Sequence, residues 1–161
     1  MFVGLDESGL VHDFYYPYVG LENLTNARNC QHRVGIFVDN CFKWIDDGSF
    51  DISLNFEEEA LISEIRVSSN DLEVELLFKD FIDINSNTFL RRIKVINNAS
   101  NPREIRLFMH QIFQLSNLGR GDTALYVPDG HYILDYKGRY SLGIGGKFDD
   151  GKVSNYNLYG L

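Results

Sequence analysis

Apolar residues recur at every second position along much of this chain, and that period limits the fold more than any other feature. Leu72, Val74, Leu76 and Phe78 alternate, with Glu73 and Glu75 between the first three. Ile105, Leu107 and Met109 repeat the pattern with Arg106 and His110 on the other face, and Ile52, Leu54 and Phe56 alternate with Ser53 and Asn55. Successive side chains of a strand point to opposite faces, so such runs put one face on a core and the other toward solvent, as in antiparallel sheets.

Turn residues separate these runs at hairpin spacing. Asp6-Glu7-Ser8-Gly9 parts the first two strands, and Asp39-Asn40 parts Val34–Val38 from Phe42–Ile45. Asp46-Asp47-Gly48-Ser49, Ser69-Asn70-Asp71, Pro128-Asp129-Gly130 and Lys137-Gly138-Arg139 mark further turns. Asn97 to Pro102 links a strand over Phe89–Ile96 to one over Glu104–Leu115. Phe56 to Ser63 has the best helix propensity but is too short to stand alone, and it reads as a strand end, a turn and a new strand. About ten to twelve strands result, joined mostly by short turns. Many strands, short turns and no helix predict an all-β chain, an antiparallel β-sandwich with Phe, Leu and Ile on the inward faces. Gly143 to Leu161 is looser, with Val153–Tyr159 a strand lacking a successor, so the sandwich is expected to be incomplete at its C-terminal end.

The 161 residues suffice for one domain with its own core, 1–161, and neither a repeat nor a linker divides them. Aromatics make up 14%, with twelve Phe and nine Tyr, which suits pleated, half-buried surfaces. Fifteen basic against 23 acidic residues give a net charge of −8, a poor match to a phosphate backbone, so no nucleic-acid partner is expected. The N-terminus lacks a basic region followed by an apolar stretch, and no run reaches transmembrane length. A soluble, cytoplasmic chain without a membrane partner is expected. Cys30 and Cys41 have no second close pair, which argues against structural zinc. A disulfide between them is open geometrically, and two free thiols is the reading that suits a reducing cytoplasm.

Few residues carry a chemical signal. His12, His32, His110 and His131 are scattered without ligand spacing, so no metal is expected, and His32 and His110 read as satisfied polar residues of a sheet face. No G-x-S-x-G elbow is present, and Gly143-Ile144-Gly145-Gly146 opens no helix that could cradle a phosphate, so no cofactor is expected. Asp46-Asp47 and Asp149-Asp150 read as turn caps and Glu57-Glu58-Glu59 as a solvated charge run. The run Tyr15-Tyr16-Pro17-Tyr18 is the candidate site. Exposed rings there could stack on a sugar; the plainer reading has them buried at an interface or in the core. His110 and Asp122 are candidates for the same surface.

Several motifs in order resemble a known family. They are Val3-Gly4-Leu5-Asp6-Glu7, Asp13-Phe14-Tyr15-Tyr16-Pro17-Tyr18-Val19-Gly20, His32-Arg33-Val34-Gly35 and Phe42-Lys43-Trp44-Ile45-Asp46-Asp47-Gly48. Phe89-Leu90-Arg91-Arg92-Ile93, Arg106-Leu107-Phe108-Met109-His110-Gln111, Gly121-Asp122-Thr123-Ala124 and His131-Tyr132 through Tyr136-Lys137-Gly138-Arg139-Tyr140 follow. Together they resemble the N-terminal β-domain of prokaryotic glucoamylase-like enzymes of glycoside hydrolase family 15, which includes glucoamylases, glucodextranases and some trehalases. The resemblance implies a β-supersandwich that packs on a larger catalytic barrel of paired α-helices. In the family, two glutamates of that barrel hydrolyse an α-glucosidic bond with inversion, which needs carboxylates about 6.5–9.5 Å apart. Those glutamates have no counterpart in these residues. The resemblance therefore implies a non-catalytic, truncated N-domain (a fragment, a split-gene product or a shortened piece). Its partners would be the barrel, in cis or in trans, and the α-glucan or trehalose-type substrate of the whole enzyme. A free-standing carbohydrate-binding module and a poorly folding remnant are the competing readings. An aromatic interface left unpaired is expected to self-associate.

Overall fold

A computed structural model describes residues 1–25, 32–116 and 121–148, which form twelve β-strands and no helix. The strands are β1 (Phe2–Leu5), β2 (Val11–Tyr15), β3 (Arg33–Val38), β4 (Cys41–Trp44), β5 (Asp51–Phe56) and β6 (Ser63–Ser69). They continue with β7 (Val74–Asp83), β8 (Thr88–Asn97), β9 (Ile105–His110), β10 (Thr123–Val127), β11 (Tyr132–Lys137) and β12 (Tyr140–Gly145). All the strand pairings are antiparallel. The predicted strand over Val153–Tyr159 and the Asp149-Asp150 turn lie outside the described residues, as does Cys30.

The core lies between two sheets. One has the order β4-β3-β9 and the other β5-β6-β7-β8. The alternating residues of β3, Val34, Ile36 and Val38, meet Ile65 and Val67 of β6 and Val74, Leu76 and Phe78 of β7, with Leu10, Ile45 and Leu72 completing the cluster. Each such side chain, fully buried, contributes roughly 1.5–3 kcal/mol. The β3–β4 hairpin turns through Asp39 and Asn40, both at positive φ (50° and 61°). That is the conformation a two-residue hairpin needs and Asn and Asp tolerate. β9 stops at His110, short of the predicted Leu115, because the chain then leaves the sheet and Gln114 N–H donates to the Leu24 carbonyl at 2.8 Å.

Two arginines tie the parts together. Arg91 on β8 forms a bidentate pair with Asp80 on β7, Nε to Oδ1 at 2.9 Å and Nη2 to Oδ2 at 2.5 Å, and also donates to the Gly9 carbonyl at 2.6 Å. This fastens the β1–β2 hairpin to the second sheet. Gly9 sits at φ +72°, and a Cβ there would come within 2.8 Å of Ile65 Cδ1, so only glycine permits that approach. Arg103 joins the turns at one end of the sandwich. It donates to Asn97 Oδ1 (2.8 Å), to Asp39 Oδ2 (2.7 Å) and to the carbonyls of Glu73 (2.8 Å) and Leu72. Sheet β10-β11-β12 contributes no residue to the core cluster. It connects back where Leu115 N–H donates to Asp122 Oδ1 at 3.1 Å.

Candidate functional site

The tyrosine run leaves the sheet at the end of β2. Tyr15 is half-buried against Phe2, with ring centroids 6.0 Å apart. Tyr16 and Tyr18 are 47% and 61% exposed, Pro17 is exposed, and the Tyr16–Pro17 peptide is cis. The Met1 ammonium donates to the Pro17 carbonyl at 2.7 Å. Asn23 pins the loop's return: its Oδ1 accepts from Phe14 N–H (3.0 Å) and Thr25 N–H (3.2 Å), and its Nδ2 donates to Asp13 Oδ1 (2.6 Å). His110 stands exposed at the end of β9, and Asp122 is half-buried before β10 with Lys137 Nζ at 3.5 Å. Tyr15–Tyr18, His110 and Asp122 thus lie on different elements and share no hydrogen bond or ion pair among the described residues.

The outer face of sheet β4-β3-β9 gathers aromatic residues more tightly. Register places Gly35 opposite Trp44 on one side and Phe108 on the other. A Cβ on Gly35 would lie 2.6 Å from Phe42 Cζ, so the missing side chain is the space the Phe42 ring fills. Phe42 stands edge-on to Trp44 (4.9 Å, 88°) and to Phe108 (5.4 Å, 82°), and Trp44 meets His110 at 6.2 Å and 70°. Arg33 lies over Trp44 at 4.5 Å while Asp46 holds its guanidinium at 2.9–3.1 Å. Perpendicular rings pack well on one another. They do not offer the coplanar surface on which successive pyranose rings stack. Phe42 and Phe108 remain 42% and 44% exposed.

Over 141 residues, 88% of this chain, the sequence is 25% identical to an uncharacterized glycosyl hydrolase of Methanocaldococcus jannaschii. The chain is thus a distant relative of one part of that protein. It spans only 22% of the length of the relative it matches. No protein-family model matches the chain, and no solved structure matches it significantly.

For such a chain the carboxylates decide whether chemistry could happen here, since glycosidic cleavage needs a protonated acid facing a base. Most carboxylates with described partners are structural. Asp6 caps Ser8 and Leu10 N–H (2.8 and 2.9 Å), and Asp47 caps Ser49 N–H (2.9 Å), as its turn position predicts. Asp46 serves instead as the clamp on Arg33, and Glu57 pairs with Lys79 while Glu58 and Glu59 are exposed. Burial pushes the Asp135 carboxyl up, and the nearby Asp122 charge adds to that shift. The described residues hold no group of three or more His, Cys, Asp or Glu side chains able to bind a metal. Cys41 carries a free thiol. No helix among the described residues is long and apolar enough to cross a membrane.

His32 departs from the expectation of a satisfied residue on a sheet face. It sits just before β3, 7% exposed, with its ring 4.5 Å from Phe113. One ring nitrogen bonds the Ile112 backbone, whereas Nε2 is buried with no hydrogen-bond partner among the described residues. Burial, reinforced by His110 and Arg91, pushes its pKa down from 6.5 to about 4, so the ring is neutral at pH 7. It lines a cavity of about 300 Å³ between the β1–β2 hairpin and the start of β3, together with Asp13, Arg33 and Asp46. Asp6, Asp13, His32-Arg33 and Asp46 each belong to a different one of the motifs quoted above, and the fold brings those segments together around this space although they lie far apart in the chain.

Proposed function

We propose that residues 1–161 are the non-catalytic N-terminal β-domain of a glucoamylase-like enzyme of glycoside hydrolase family 15, acting in the cytoplasm. The domain packs on an α-helical catalytic barrel, supplied in cis or in trans, and the whole enzyme cleaves α-glucosidic bonds with inversion. The observation that carries this reading is the similarity of 88% of the chain to 22% of a glycosyl hydrolase, which leaves most of that relative's length to hold the chemistry. The all-β fold agrees with it. So does the engagement of Asp6, Asp46, Asp47 and Asp80 in turns and ion pairs. Exposed Tyr16, Tyr18, Phe42, Phe108 and Met109 supply apolar surface of the kind that a docked domain covers. The edge-on arrangement of Phe42, Trp44 and Phe108 weighs against a free-standing carbohydrate-binding module that stacks sugars on this face.

The test starts from the coding DNA beyond codon 161. A frame that continues into a helical barrel, whose long product hydrolyses maltose or trehalose while the 161-residue chain does not, supports the reading. Saturable hydrolysis by the 161-residue chain alone refutes the non-catalytic assignment.

A further inference from the structure

Along one side of the sandwich both sheets stop, with no strand beyond them among the described residues. β8 is the last strand of β5-β6-β7-β8, and β9 is the last of β4-β3-β9. Residues 98–104 alone cross from one to the other, tightened where Asn97 Nδ2 donates to the Asn101 carbonyl at 2.8 Å. So short a crossover keeps the two edges neighbours. Core-facing side chains are left uncovered there. Register sets Val95 of β8 beside Leu76, and Met109 of β9 beside Val34, on the faces turned to the core. Leu76 and Val34 are 0% and 1% exposed, whereas Val95 and Met109 are 37% and 44% exposed. On the opposite side, Cys41 of β4 and Ile52 and Leu54 of β5 pack against the core cluster.

The backbone at this edge is open too. Asn98 N–H donates to the Glu73 carbonyl at 2.8 Å, one step past the Asn97–Val74 pair. Hydrogen-bonded and non-hydrogen-bonded pairs alternate in an antiparallel ladder. The even-numbered residues of β8 therefore bond to β7, and Phe89, Arg91, Ile93 and Val95 turn their N–H and C=O groups outward. β8 runs for ten residues without a proline or a register shift, which makes it a template for another strand.

Charge selects what can pair there. Arg92 and Lys94 are exposed on the outer face of β8. Two copies joined antiparallel at this edge, with their core faces kept together, set one of these cations opposite Arg92 or Lys94 of the copy in each central register. Like charges directly opposite each other destabilise a strand pair, so a second copy fits poorly. The same two cations favour a strand that carries carboxylates on its outer face and apolar side chains toward Val95 and Met109.

We propose that the β8 edge takes up an extended segment from outside residues 1–161, in which Asp or Glu alternates with apolar residues, by strand addition. The inference is independent of the domain assignment: the edge can take such a strand whatever the chain's part in hydrolysis, and a domain of the enzyme can leave it bare.

The experiment follows amide resonances and amide exchange in the isotopically labelled 161-residue chain. The probes are a nine-residue peptide alternating valine with glutamate and one alternating valine with lysine. Without peptide, the amides of Phe89, Arg91, Ile93 and Val95 should exchange fast, and those of Arg92 and Lys94 slowly. The glutamate peptide should saturate in the millimolar range and shift and protect those four amides, and the lysine peptide should not. Lys94→Glu, a change at an exposed position, should weaken the glutamate peptide roughly fivefold, the effect of one cross-strand charge pair. Five results overturn the proposal: the four amides protected before peptide is added, concentration-dependent pairing of copies at β8, no saturable binding of the glutamate peptide, equal binding of the lysine peptide, or binding that Lys94→Glu leaves unchanged. The parent chain with the two peptides decides the matter even where Lys94→Glu fails to fold.

Discussion

Arg91 gives the sharpest test of what holds this sandwich together. Its guanidinium and the Asp80 carboxylate are 9% and 3% exposed, and the pair is bidentate. Arg91→Met removes the cation and the bond to the Gly9 carbonyl, and leaves Asp80 as a buried charge without its partner. Breaking a buried pair from one side costs about 3–5 kcal/mol. In a chain of this size a kcal/mol moves the thermal midpoint by roughly 2–4 °C, so the loss is about 6–20 °C. Replacing both partners, Arg91→Met with Asp80→Leu, removes the stranded charge as well. Apolar replacement of a whole buried pair is commonly neutral or stabilising by about 1–4 kcal/mol, so the double variant should recover most of the loss. Urea unfolding followed by circular dichroism measures both. A single variant within about 1 kcal/mol of the parent, or a double variant as unstable as the single, refutes the argument that desolvated charge dominates here. Amide exchange in β1 and β2 supplies an independent readout, because the Gly9 contact is lost in both variants and the hairpin should exchange faster in each.

Lowering the pH should destabilise the chain through His32. Its folded pKa of about 4 lies below the unfolded value near 6.5, so the unfolded state binds the proton first and stability falls as pH drops through that window, levelling below the folded value. The span corresponds to on the order of 3 kcal/mol, and His32→Gln should flatten it in parent-minus-variant urea curves. Asp135→Asn should stabilise the chain at neutral pH, because burial and Asp122 disfavour the charged form, and the gain should vanish below the ordinary carboxylate range, as thermal melts at both pH values will show. Gly35→Ala should push Phe42 off Trp44 and cost about 1–3 kcal/mol, changing the fluorescence of Trp44, the chain's one tryptophan. Unchanged emission and stability in that variant would show that the Phe42 ring does not depend on the glycine.

The parts of this fold that are legible in the sequence are those encoded locally. The alternation through Val74, Leu76 and Phe78 states which face is buried, and Asp39-Asn40 states where a tight hairpin turns. What pairs with what is not encoded locally. β3 takes β9 as its second neighbour, with Val38 opposite Ile105, although five strands intervene in the chain. Nothing in either strand's pattern selects the other, because an antiparallel face with period two fits any partner of the same period. The end of β9 was illegible for the same reason: Ile112 to Leu115 read as strand, and a contact with Leu24 from another part of the chain draws them away.

The candidate site follows that logic further. Tyr15–Tyr18, His110 and Asp122 stand out because their residue types are distinctive, yet type alone does not bring them into one place. His32 looks ordinary in the sequence, and its character comes from what surrounds it. Phe113 covers the ring, Arg91 and His110 oppose its charge, and no group among the described residues meets Nε2. A polar atom becomes functional material when burial removes water and the fold supplies no replacement. That condition is a property of three or four segments at once. It explains why neither the spacing of the histidines nor the motif that begins at His32 foretells the burial of its ring.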